Sequence, residues 1–91
     1  MKFNHSLDDM RSFCTVVRYG SFRQASIVLE MPLSTLSRRV AKLEENLGLR
    51  LLNRDAHRVQ LTHAGQQYYK QSAPLFDELE TIASCLLQDK T

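Results

Sequence analysis

Ser34, Arg38, Ala41 and Lys42 fall along one side of an α-helix, opposite a stripe made of Leu36, Val40, Leu43 and Leu47. The first set is small, hydroxylated or basic; the second is apolar. Such a helix buries its leucines and shows water a low, cationic face. That face suits entry into a DNA groove, where hydroxyls and a guanidinium can meet base edges and phosphates. The alternative is an ordinary amphipathic helix with a solvated charged face. Catalytic chemistry has no comparable support: the chain lacks paired carboxylates, a nucleophile–base constellation and a glycine-rich phosphate loop. His5, His57 and His63 are scattered without ligand spacing, so no metal is expected, and no cofactor either.

The elements that must hold this face can be read around it. Leu7, Met10, Phe13, Cys14 and Val17 predict a first helix over 7–19 with these residues facing inward, stopped by Gly20. Ser21 to Gln24 has the spacing of a capping box and opens a second helix. Its inward residues are Phe22, Ala25 and Leu29, with Ile27 or Val28 as further candidates. A turn at Glu30–Met31–Pro32 leads to a third helix from about Leu33 to Asn46, ended by Gly48. Residues 21–40 thus form a helix-turn-helix.

Beyond Gly48 the apolar period shortens from 3.6 toward 2, which predicts two short strands around a polar turn at Asp55–Ala56–His57. Arg54 and Arg58 would place paired positive charge at the hairpin tip, although a purely stabilising ribbon is the alternative. Thr62 is a good N-cap for a long last helix. Within it Tyr68, Ser72, Leu75, Leu79, Ile82 and Leu86 form an a/d seam, and Tyr69, Phe76 and Ala83 an adjacent stripe. A helix apolar on two sides needs two partners, which predicts a second copy of the chain on the seam. The alternative is a helix folded wholly onto its own domain. Pro74 interrupts the seam and predicts a kink, and Gly65 marks close backbone packing.

Bulk properties agree with one small domain. The chain has 91 residues, 43% hydrophobic and 24% charged, which excludes a disordered polyelectrolyte. Its net charge of +2 is unevenly spread. Residues 1–62 carry ten Lys and Arg against six acids, or +4, and residues 63–91 carry two against four, or −2. The basic part is the one that would meet a polyanion. No apolar run approaches the roughly 20 residues of a membrane span, and the first residues lack the apolar core of a signal peptide. Cys14 and Cys85 belong to no CxxC pair and read as two buried thiols in a reducing cytosol; an interchain disulfide through Cys85 is the alternative.

With these residues placed, the chain resembles the N-terminal domain of LysR-type transcriptional regulators. The resemblance rests on an ordered series: Leu7 and Phe13, then Gly20–Ser21–Phe22, Ala25 and Leu29. It continues through Leu36–Ser37–Arg38, Leu43–Glu44, Leu47–Gly48, Leu51 and Arg54 to Val59, Leu61–Thr62 and Ala64–Gly65. It implies a mainly α fold: a winged helix-turn-helix over 5–62, with three helices and a short β-hairpin wing at about 50–61, then a linker and dimerisation helix over 63–90. It also implies a bacterial, cytoplasmic, nucleoid-associated regulator that binds dyad-symmetric promoter DNA as a homodimer or, in the full-length protein, a tetramer. Such regulators continue into an effector-binding domain for a small molecule, for which this chain has no residues; a naturally short protein is the alternative.

The roles implied for individual residues follow. Arg38 would reach a base edge or phosphate, Ser34, Thr35 and Ser37 would add short hydrogen bonds, and Lys42 would meet the backbone. Ser21, Phe22 and Arg23 would hold a phosphate at the start of the second helix. Arg54, supported by Arg58, would hold or enter the minor groove. Tyr68, Ser72, Leu75, Leu79, Ile82 and Leu86 would form the dimer interface. The sequence departs from the family where Ser-Gln-Pro is common at the start of the recognition helix: Pro32, Leu33 and Ser34 stand there. Leu33 can touch a thymine methyl but cannot hydrogen-bond a purine edge. His63 stands where an acid is common, and Leu52 where Phe is frequent. A non-catalytic helical interaction module is the competing function; it would be indifferent to DNA at moderate salt.

Overall fold

The computed structural model describes residues 6–53 and 58–88. Four helices follow one another: α1 (Leu7–Tyr19), α2 (Phe22–Val28), α3 (Leu33–Leu47) and α4 (His63–Gln88). Each predicted stop or start has a local cause. Ser6 caps α1 by accepting the Asp9 N–H at 3.1 Å, and Ser21 caps α2 by accepting that of Gln24 at 3.1 Å. Gly20 and Gly48 end α1 and α3 at φ 66° and 69°, a left-handed conformation that strains any residue with a Cβ. Thr62 caps α4 through its hydroxyl, which accepts the Gly65 N–H at 3.0 Å.

The core gathers where α1 crosses the others. Phe13, Val16, Ala25, Leu36, Val40 and Leu43 are fully buried, joined by Met10, Cys14, Leu51 and Leu52. Three positions predicted to face inward do not: Leu7, in the first turn of α1, and Ile27 and Val28, at the end of α2, are exposed. α2 has only seven residues, and Ala25 is the one it buries fully. Arg39 of α3 ties back to the buried Asp9 of α1 at 3.4 Å, so that cation serves the fold.

The turn between α2 and α3 holds Glu30 at φ 53°. Left-handed backbone costs an L-residue about 1–2 kcal/mol, while a glycine costs roughly 0.4–1 kcal/mol through the freer unfolded chain. Glu30→Gly is therefore expected to stabilise the domain by about 0.5–1 kcal/mol, read as a higher urea midpoint with unchanged slope. A lower midpoint would mean that the glutamate side chain contributes more than its backbone strain costs.

None of the described residues forms a strand. The segment between α3 and α4 shows one antiparallel bridge, Leu52 with Leu61, and an Asn53 N–H donated to the Gln60 carbonyl at 2.9 Å. The physical reason is competition for backbone groups. The N–H groups of Leu51 and Leu52 both donate to one carboxylate oxygen of the buried Glu44, at 2.8 and 3.1 Å, and the Thr62 hydroxyl donates to the Arg50 carbonyl. Of these, the Leu51 N–H is the group the next ladder bond to Thr62 would use. The tip predicted to carry Arg54 lies outside the described residues.

α4 runs unbroken through Pro74, which has no N–H to give the Lys70 carbonyl. Its first half packs on the body through Ala64, Tyr68, Tyr69, Ala73 and Phe76. From Asp77 to Gln88 every residue is exposed, Ala83 included; so is Cys85, expected to be buried, because this half of the helix has no body of its own domain beside it. Among the described residues no helix is long and apolar enough to cross a membrane.

Candidate nucleic-acid interface

α3 presents its predicted outward face. Ser34, Ser37, Arg38, Ala41 and Lys42 are exposed, Thr35 is half-buried, and Leu33 opens the helix with 51% of its surface exposed. The opposite side, Leu36, Val40 and Leu43, is anchored in the core, so the face cannot roll away. Pro32 occupies the N-cap without a side-chain hydrogen bond, which leaves the start of α3 uncovered. At the neighbouring start of α2, Ser21 is half-buried and its oxygen accepts the capping bond. Phe22 packs against the core and Arg23 is exposed.

Ion pairing divides the basic residues into two groups. Arg18 pairs with Asp77 at 3.1 Å, Arg39 with Asp9 at 3.4 Å and Arg50 approaches Glu44 at 4.0 Å. Among the described residues Arg11, Arg23, Arg38, Lys42, Arg58 and Lys70 have no acidic partner within that range. Four of these, Arg23, Arg38, Lys42 and Arg58, are predicted DNA contacts. Small exposed side chains lie between Arg38 and Lys42 and the helix start, so a polyanion can approach closely.

The predicted dimer seam splits in two. Tyr68 and Ser72 are engaged inside their own chain: Tyr68 meets Phe13 edge-on with ring centroids 5.8 Å apart, and Ser72 is buried with its Oγ 3.3 Å from Cys14 Sγ. Ser72 donates its proton to the Tyr68 carbonyl at 2.6 Å, so the thiol is the donor of the Cys14–Ser72 pair. Ser72 is buried in its own domain, whereas Tyr68 is half-buried. Burial pushes the Cys14 thiol up and takes the Tyr68 hydroxyl to about 12, so both stay neutral packing groups at physiological pH. Leu75, Leu79, Ile82 and Leu86 are exposed, by 58, 58, 52 and 67%.

Two contributors escaped sequence reasoning. Glu44 enters the sequence reading only as part of the family series, yet it stands four residues after Val40, at the margin of the buried stripe, and that position is the available signal. Leu49 is exposed beside Leu47, Leu51, Tyr68 and Leu75, where the segment after α3 meets α4 in an open apolar groove. No group of three or more potential metal ligands occurs among the described residues.

Comparison with known proteins gives this geometry a lineage. Residues 7–66 match the family described as bacterial regulatory helix-turn-helix protein, lysR family. An HTH-type transcriptional regulator of Xanthomonas campestris pv. campestris (strain 8004) is 42% identical over 84 residues, which is 92% of this chain and 24% of that protein. The chain thus spans about a quarter of the length of such curated relatives. The full-length structure of the Vibrio cholerae virulence activator AphB superposes with a TM-score of 0.82 at 40% identity, over 89% of this chain and 28% of that one. The BenM DNA-binding domain in complex with catB site 1 DNA superposes with a TM-score of 0.80 at 30% identity, over 94% of this chain and 97% of that one. This family is one of transcriptional regulators and not a class of enzymes. The chain belongs to the lysR family of bacterial regulatory helix-turn-helix proteins.

Proposed function

We propose that the chain reads a specific double-stranded DNA site as a homodimer and serves as the DNA-binding part of a transcription regulator. The observation that carries this reading is the outward face of α3: small and hydroxylated residues beside Arg38 and Lys42, cations with no acidic partner among the described residues. Arg38 contacts a base edge from the major groove, with Ser34, Thr35 and Ser37 adding hydrogen bonds and Lys42 a phosphate contact. Ser21, Phe22 and Arg23 hold the flanking phosphates at the start of α2. Residues 50–61 act as the wing, with Arg58 and Arg54 at the minor groove. Leu75, Leu79, Ile82 and Leu86 pair two copies of α4, so that two α3 helices address a dyad-symmetric site. A small-molecule effector would act through a domain beyond these 91 residues.

Selection from a random duplex pool at moderate salt is the direct test. Enrichment of an interrupted palindrome is expected; salt-sensitive binding without enrichment would leave only a basic surface. On the selected site, Arg38→Ala is expected to cost about 1–3 kcal/mol, roughly five- to 150-fold in Kd, and to spare random DNA. Equal weakening on both would make Arg38 a phosphate contact. Indifference to DNA at moderate salt would favour an adaptor that only pairs through α4.

A further inference from the structure

Leu33 is the one large apolar side chain of α3 that takes no part in the core: Leu36, Val40 and Leu43 are buried and Leu47 packs against them. It sits at the helix start, half exposed at 51%, next to exposed Ser34 and one turn before exposed Ser37. About half of its surface is open to solvent at the end of the helix. A helix that enters the major groove leads with such residues. Leucine carries no hydrogen-bond donor or acceptor, so most base edges in that groove give it nothing. One apolar group is displayed there, the C5-methyl of thymine.

We infer that Leu33 is a specificity-determining residue that reads a thymine methyl in each half-site. The inference rests on the DNA-binding reading above and deepens it. Burial of the methyl against the isobutyl side chain removes apolar surface of both from water, while Ser34, Ser37 and Arg38 satisfy the polar edges alongside. Cytosine lacks the methyl and is disfavoured. 5-Methylcytosine restores the methyl at the same groove position and regains part of the affinity.

The test uses the selected duplex with deoxyuridine replacing thymidine at one position at a time, titrated with the unmodified chain and with Leu33→Ala. At one thymine per half-site, loss of the methyl is expected to weaken binding about fourfold, the worth of burying one such group. Leu33→Ala should bind the thymidine and deoxyuridine duplexes equally at that position and keep its preferences elsewhere. Specific binding with no uracil-sensitive position, or a uracil effect that survives in Leu33→Ala, would overturn the role of Leu33 and leave the DNA-binding reading standing. Absence of any site preference in the unmodified chain would overturn both.

Discussion

Gly65→Ala is expected to destabilise the domain by about 3 kcal/mol or more, a large share of what a chain this size has. Gly65 is buried in the first turn of α4, and a Cβ there would collide with the Leu51 carbonyl oxygen. It would also stand 2.9 Å from the Leu51 carbonyl carbon and 3.1 Å from Leu61 Cδ2. Leu61 can turn aside; Leu51 cannot. Its N–H is held by Glu44 at 2.8 Å and its carbonyl accepts the Thr62 N–H at 3.0 Å. Relief of the clash breaks a bond at one end of that residue or the other. The gain in helix propensity from Gly to Ala, about 1 kcal/mol, is too small to offset this. Gly48→Ala is the control: it strains a positive φ but meets nothing within 4 Å, so it should cost about 1–2 kcal/mol. Urea unfolding of the two variants separates the cases, and equal midpoints would refute the packing argument.

The second large effect concerns assembly. Leu79→Glu combined with Ile82→Glu puts two carboxylates in the middle of the exposed stripe of α4. Both positions are more than half exposed, at 58 and 52%, so the fold of a single chain should survive with its helical signal nearly intact. The proposed dimer should not. Sedimentation is expected to show monomers, and affinity for a site with two half-sites should fall by about 10² or more, since the second recognition helix is no longer delivered at high local concentration. Binding to an isolated half-site should change little. A double variant that still holds the full site tightly would mean that the copies join elsewhere or act singly.

Much of this arrangement is legible in the sequence because it is local. The ends of α1 and α3 are written in Gly20 and Gly48, the start of α2 in Ser21, and the two faces of α3 in a spacing that leaves little choice. What the sequence hides is which surface covers a given apolar position. Tyr68 and Ser72 share the seam spacing of Leu75 and Leu79, yet Phe13 and Cys14 of the same chain meet them. Periodicity places residues on a side of a helix and is silent about whose atoms lie opposite. The wing has a different cause. Its alternating pattern is real, but ladder formation depends on free backbone groups, and Glu44 reaches seven residues ahead to take the Leu51 N–H, the next one the ladder would use. A carboxylate at the edge of a stripe looks solvated until the chain folds back over it.

The bare second half of α4 has a mechanical consequence. Twelve exposed residues, Asp77 to Gln88, make a rod about 18 Å long that touches its own domain only at its root. In the dimer proposed above, two such rods would cross, and each would work as a lever whose fulcrum is the crossing point and whose load is a recognition helix. At an arm of about 18 Å, the length of the rod, a change of about 10° in the crossing angle would move the load by roughly 3 Å, close to the spacing of one base pair. Gearing of this kind lets a small adjustment between two helices choose among half-site separations while every contact inside each domain stays as it is.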